Sequence, residues 1–200
     1  MNSLFNAENP FWEAMERLFD LFILNLLWLL CCLPVFTIGP ATAALHYAVI
    51  NLAEKEEHSV TKDFRKSFWL NFRQGIRLGV PLTATGIFLL ADIVMSYRSG
   101  TGIYTFFLFF FSFLFIIYCF VVMYVFPLLA KLDRTCRELL ILAFTLSIRH
   151  LGKTLLILAV LAFGIWSCHL FPGLIFLSFG LVAELHALLL LPVLKSFYVQ

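Results

Sequence analysis

The sequence predicts an all-α fold, a polytopic membrane helical bundle, and three observations predict it. The 200 residues are 62% hydrophobic and only 13% charged, about half the charged share of an ordinary soluble domain. The apolar residues fall into runs long enough to cross a bilayer, which takes about 20 residues. The basic residues collect in two loops instead of scattering. A soluble domain of this length would lack the polar surface to cover its core, so a soluble enzyme, a disordered tail and a nucleic-acid binder are excluded. A net charge of +2 is too small to steer the whole molecule toward a polyanion.

Residues 1–200 read as one membrane domain. The first apolar run covers 18–36. It is no cleaved signal peptide: it exceeds an h-region in length, Glu8, Glu13, Glu16 and Asp20 accompany it, and Cys-Cys-Leu-Pro is a poor cleavage site. Further firm spans are expected at 78–95, 103–128, 155–171 and 174–194. Segment 34–53 is different, being interrupted by Pro34 and by Gly39-Pro40. A helix can start at Pro40, where the missing N–H is an orphan anyway. Fourteen helical residues reach about 21 Å against a hydrocarbon core of about 30 Å. An extended stretch at 34–39 would have to supply the rest and, being non-helical, would need protein packed around it. The segment is therefore either a sixth crossing or a re-entrant half-helix.

The loops give direction. Loop 54–77 carries six basic residues and loop 129–153 carries five, whereas the turn at 98–102 holds only Arg98 and Pro172-Gly173 holds none. The positive-inside rule places both long loops and the C-terminus in the cytoplasm. Six crossings, the arrangement favoured slightly by the basic-residue count, put the N-terminus there too. In the first loop Phe64, Phe68 and Phe72 recur every four residues between Lys62, Arg65, Lys66 and Arg73. This pattern predicts an amphipathic helix whose basic face suits an anionic leaflet or a docking partner. The second loop holds Thr135-x-x-Glu138, a capping box, before an apolar run to Ile148. Tyr97, Tyr104 and Tyr198 fit interfacial belts, and the aromatic run 106–115 presents rings all round, so part of it faces lipid.

Intramembrane polar groups are costly and are functional candidates by default. Glu184 lies ten residues into the last span, and His186 follows about 200° further round the helix. Asn25 is mid-span in the first helix and His46 lies in the interrupted segment. At matching depth, Asn25, His46 and Glu184 can form one cluster, with His186 facing elsewhere. The plain alternative is a structural hydrogen bond that fixes helix packing, averaging about 0.6 kcal/mol. Asp92 sits nearer the outer surface and is expected to snorkel. The five cysteines show no metal spacing and read as small buried hydrophobes. A metal site from Cys168, His169 and His186 would need unequal depths to meet, so neither metal nor cofactor is expected. Gly75-x-x-x-Gly79 is a small-xxx-small pattern and a possible homo-oligomer contact. Motifs for acyl transfer, metalloproteolysis and nucleotide binding are absent, and no enzyme is expected.

Three stretches, "LNLLWLLCCLPVFTIGPATAAL" (24–45), "SVTKDFRKSFWLNFRQG" (59–75) and "VFPLLAKLD" (125–133), resemble in content and spacing the YesL family of bacterial polytopic membrane proteins. The resemblance implies a protein of the bacterial cytoplasmic membrane, of a kind that often accompanies carbohydrate uptake and sensing. It places Asn25, Pro34, Thr37, Gly39 and Pro40 at family-type positions and carries over no catalytic or binding residue. Two functions follow as expectations. The first is an accessory or regulatory component of a transporter or sensor membrane complex, engaged through the basic helices. The second is a small transporter or permease with a midplane polar site around Glu184.

Overall fold

The computed structural model describes residues 10–54, 59–100, 102–170 and 182–192, and every regular element among them is helical. The order is α1 (Pro10–Cys32), a 3-10 turn (Val35–Thr37), α2 (Ile38–Ala53), α3 (Val60–Leu70), α4 (Phe72–Ser99), α5 (Gly102–Lys131), α6 (Cys136–Arg149) and α7 (Leu151–Leu170). A short apolar helix, α8 (Val182–Pro192), follows.

Among the described residues three helical stretches are long and apolar enough to cross a membrane: Val35–Ala53, α4 and α5. A fourth qualifies only as a bent pair, Cys136–Arg149 with Leu151–Gly164, turned by 98°. The expected spans 78–95 and 103–128 lie inside α4 and α5, and the span expected at 155–171 begins earlier, at Leu151. The first apolar run is the second half of α1, which starts at Pro10 and so carries Glu16, Arg17 and Asp20 within the same helix. Of the last expected span, 174–194, only α8 falls within the described residues.

The interrupted segment is more regular than its prolines imply. Pro34 is extended (φ −78°, ψ 117°), but Val35–Thr37 form a 3-10 turn and α2 begins at Ile38, two residues before Pro40. Pro40 therefore sits in the first turn, where a missing N–H breaks no ladder bond. The Thr37 hydroxyl closes the corner by donating to the carbonyls of Cys31 and Pro34. Beyond Pro34 the stretch is thus coiled, and the extended backbone expected over 34–39 is confined to Pro34 itself.

Glycines decide where α2 packs. A Cβ at Gly79 would lie 2.7 Å from the Cα of Gly39, and one at Gly75 would lie 2.7 Å from the Cα of Pro40. Only hydrogen at these positions lets the two backbones cross. Gly75-x-x-x-Gly79 is therefore consumed inside the chain, against Gly39-Pro40. At its other end α2 offers Asn51, whose Oδ1 accepts from Lys131 Nζ at 2.7 Å. Lys131 ends α5 and Gly75 opens α4, and these antiparallel helices meet at that end through a bond from the Gln74 amide to the Arg134 carbonyl. The start of α2 therefore lies beside Gly75–Thr83 of α4, and its end lies beside the last residue of α5. At 16 residues the helix is about 24 Å long, against about 42 Å for the 28 residues of α4.

The same end holds the core. Leu24, Ala44, Ala48, Val49, Tyr124, Leu128 and Leu139 are among its fully or nearly fully buried members. Higher up, Gly86 leaves room for Tyr118, whose hydroxyl donates to the Leu82 carbonyl at 2.9 Å. The halves of α4 and α5 next to their connecting turn present Phe88, Met95, Phe106, Phe109 and Phe113 outward, the last three within the run expected to face lipid in part. Gly100, left-handed at φ 61°, ends α4 as a glycine C-cap does. The Thr135 hydroxyl caps α6 by accepting from the Glu138 N–H.

Candidate functional site

Three of the four intramembrane candidates fall into two arrangements. His46 on α2 and His186 on α8 come together, with ring centroids 5.0 Å apart and ring planes at 86°. Both are buried, at 7% and 5% exposure. Among the described residues His46 Nδ1 and His186 Nε2 have no hydrogen-bond partner. Glu184 turns the other way, as its offset of two residues requires, and its carboxylate accepts from the Arg17 guanidinium of α1. Asn25 is fully buried on α1. Arg17 was not a sequence candidate because its neighbours Glu16 and Asp20 make the start of α1 look solvated.

Beside the histidine pair lies a cavity of about 250 Å³ among the described residues. Trp28, Leu45, Met123, Phe126 and Leu161 supply apolar wall, and Thr42, Thr83 and Tyr118 supply hydroxyls. Those hydroxyl protons are committed: Thr42 donates to the Ile38 carbonyl, Thr83 to Gly79 and Val80, and Tyr118 to Leu82. The Trp28 indole N–H is spent on Thr42 Oγ1 at 3.2 Å. No charged side chain lines the cavity. A second space of about 300 Å³ shares Tyr118, Val122, Met123 and Leu161 and lies between α5 and α7. No group of three or more metal-ligating side chains occurs among the described residues. The side chains of Cys168 and His169 lie outside the described set.

A polar knot that sequence reading missed ties the opposite end of α2. Asn51 Nδ2 donates to Asp63 Oδ2 at 2.9 Å, and Lys131 reaches both Asn51 and Glu54, the latter at 3.3 Å. The Lys131 ammonium also lies 5.1 Å from the ring centre of Tyr47. Asn51 and Asp63 are both buried, so each needs the other's hydrogen-bonding capacity. The knot fastens α2, α3 and α5. The only sequence cue was that Asp63 shares the Phe64–Ser67 side of its helix, where a charge is out of place.

On α3 the two faces divide cleanly. Phe64 and Ser67 are buried, and the rings of Phe64, Phe68 and Phe72 follow one another at 6.3 and 5.5 Å. Lys62, Arg65 and Lys66, with Arg73 at the start of α4, are exposed, as are Trp69 and Leu70. The Pro34, Gly39 and Pro40 element is the close crossing described above, a packing device next to the cavity wall at Ile38.

A family model described as "Protein of unknown function, DUF624" matches residues 21–93. The protein printed as "Uncharacterized protein YesL" of Bacillus subtilis (strain 168) is 29% identical over 160 residues, which is 80% of this chain and 75% of that protein. The chain is thus similar to YesL over most of its length, and to the family model over its first half. The family-model match takes in Asn25, the Pro34–Pro40 corner, His46 and the basic face of α3, and it stops before Glu184 and His186. No solved structure matches the chain.

Proposed function

We propose that this YesL-like membrane protein is a non-enzymatic accessory or regulatory component that docks onto a transporter or sensor complex through the basic face of α3. The carrying observation is that Lys62, Arg65, Lys66 and Arg73 are all exposed while the other face of the same helix is buried in the bundle. That leaves a rigid cationic surface that the described residues do not use. Its complement is an acidic cytoplasmic segment of a partner, since charge complementarity sets specificity and encounter rate. The association with carbohydrate uptake rests on the family resemblance alone. The transporter reading has less support, because the Glu184 carboxylate on which it centres is already neutralised by Arg17.

In this reading the protein lies in the bacterial cytoplasmic membrane, with both basic loops and the C-terminus inside. Val35–Ala53 is long and apolar enough to cross, and whether it crosses or re-enters sets the side of the N-terminus. Labelling of a Ser3→Cys variant in intact cells, with the five native cysteines replaced, tests this. An accessible thiol supports five crossings, and protection until the cells are opened supports six.

The functional test is purification from native membranes followed by identification of bound proteins, for wild type and for Arg65→Glu/Lys66→Glu. The expected result is loss of a defined transporter or sensor subunit from the variant. An unchanged set of bound proteins refutes the docking surface. So does sugar or proton flux in liposomes that Glu184→Gln abolishes.

A further inference from the structure

We infer that α6 is an interfacial helix, seated in the cytoplasmic leaflet with one face among phospholipid acyl chains. This assignment does not rest on the α3 docking surface.

At 100° per residue the 14 residues of α6 sort into three faces. Leu139, Ala143, Leu146 and Ser147 point into the bundle and are buried. Glu138, Thr145 and Arg149 form a polar stripe, and all three are exposed. Next to that stripe, on the side away from the bundle, Ile141, Phe144 and Ile148 lie within about 60° of one another. They are exposed at 67%, 46% and 49%. A helix between a core and water needs only two faces, one apolar and one polar. The third face of α6, exposed and apolar over two turns, fits a helix that also borders lipid.

The ends of α6 place it beside the membrane-crossing helices and not beneath them. The Arg134 carbonyl, just before α6, accepts from Gln74 in the first turn of α4. At the other end the Ser147 carbonyl accepts from the Thr154 hydroxyl of α7 at 3.0 Å, and that hydroxyl lies 2.9 Å from the hydroxyl of Tyr124. Tyr124 precedes the last residue of α5 by seven positions, about 10 Å along the helix. The α6–α7 corner is therefore level with the final turns of α5, a helix long and apolar enough to cross. Cys136–Arg149 and Leu151–Gly164 meet at 98°. With the second directed across the bilayer, the first lies near its plane.

Two features favour acyl chains over a protein partner as the cover. The division between the apolar and polar stripes runs along the helix axis, as the boundary between acyl chains and water does for a helix lying in the leaflet. The apolar face also continues onto α7 through Leu151, Leu155 and Leu156, all exposed, and so joins a surface that already meets lipid. Arg137 and Arg149, exposed near the two ends of α6, can carry their guanidiniums to headgroup phosphates while their stems stay on apolar surface.

The test places a nitroxide on single cysteines of the full chain, with the five native cysteines replaced, in phosphatidylcholine/phosphatidylglycerol nanodiscs. Relaxation by oxygen, which collects in acyl chains, is compared with relaxation by a water-soluble nickel chelate. Oxygen should dominate at Ile141→Cys, Phe144→Cys and Ile148→Cys, and the chelate at Glu138→Cys and Thr145→Cys. The balance thus reverses between the neighbouring positions 144 and 145. All five positions are exposed, so the labels leave the core alone, and 138 against 141 repeats the comparison should the Phe144 variant not fold. Dominance of the chelate at all five positions puts α6 in water and overturns the proposal. Protection of 141, 144 and 148 from both reagents also overturns it, since a protein surface or a second copy of the chain then covers this face.

Discussion

Gly79→Ala is the sharpest test of the α2–α4 crossing. The added methyl carbon would lie 2.7 Å from Gly39 Cα and 2.9 Å from Gly39 N, where ordinary contact begins near 3.4 Å. Both obstacles are backbone, so no side chain can rotate away. The helices must separate by roughly 0.7 Å along that line, and the shift spreads through the core around Ala43, Ala44 and Leu78. Overpacking of a close-packed interior costs about 1–3 kcal/mol. At this chain length 1 kcal/mol moves a thermal midpoint by about 2–4 °C, so a drop of about 2–12 °C is expected. The assay is a thermal melt in detergent followed by thiol reactivity or near-UV dichroism. Gly152→Ala is the control, because nothing lies within 4 Å of a Cβ at that helical position and alanine favours helix by about 0.5–1 kcal/mol. Equal midpoints for Gly79→Ala and wild type, with normal response of the control, would refute the crossing.

Other outcomes follow from the same contacts. Lys131→Met should destabilise by about 1–3 kcal/mol, because Asn51 Oδ1 loses a buried donor; chemical denaturation that leaves the midpoint unmoved would dismiss the knot. Gly86→Ala places a Cβ 2.6 Å from the Tyr118 hydroxyl, so its cost should largely vanish in a Tyr118→Phe background, and additive effects in that double-mutant cycle would contradict it. Glu184→Gln alone should lower stability more than Arg17→Gln/Glu184→Gln together, since the single change strands a partly buried guanidinium. The reverse order in melting experiments would sever the proposed pairing.

Much of the fold was legible because its signals are local. Hydropathy placed α4 and α5, the Thr135–Glu138 spacing placed the cap of α6, and the phenylalanine period of α3 assigned its inward face. These depend only on residues a few positions apart. Gly75-x-x-x-Gly79 announced a close approach but not its partner, and the partner turned out to be Gly39-Pro40 of the same chain. The prolines announced a break, yet at the first turn of α2 a proline breaks nothing.

The candidate site was legible as a list and illegible as an arrangement. Each of Asn25, His46, Glu184 and His186 stands out in the sequence as a polar group in apolar surroundings, so each demands an explanation. Which group meets which depends on helix rotation and tilt, and these are set by side-chain packing among residues far apart in the chain. Tertiary structure alone gave Glu184 to Arg17, 167 positions away, set His186 against His46, and joined Lys131 to Asn51 across the bundle. The sequence by itself determined that this chain is helical, apolar and sorted by charge, because the hydrophobic effect and the positive-inside bias act residue by residue. Only the tertiary structure decided which polar groups neutralise one another and which two, the buried imidazoles beside the cavity, keep ring nitrogens without a partner among the described residues.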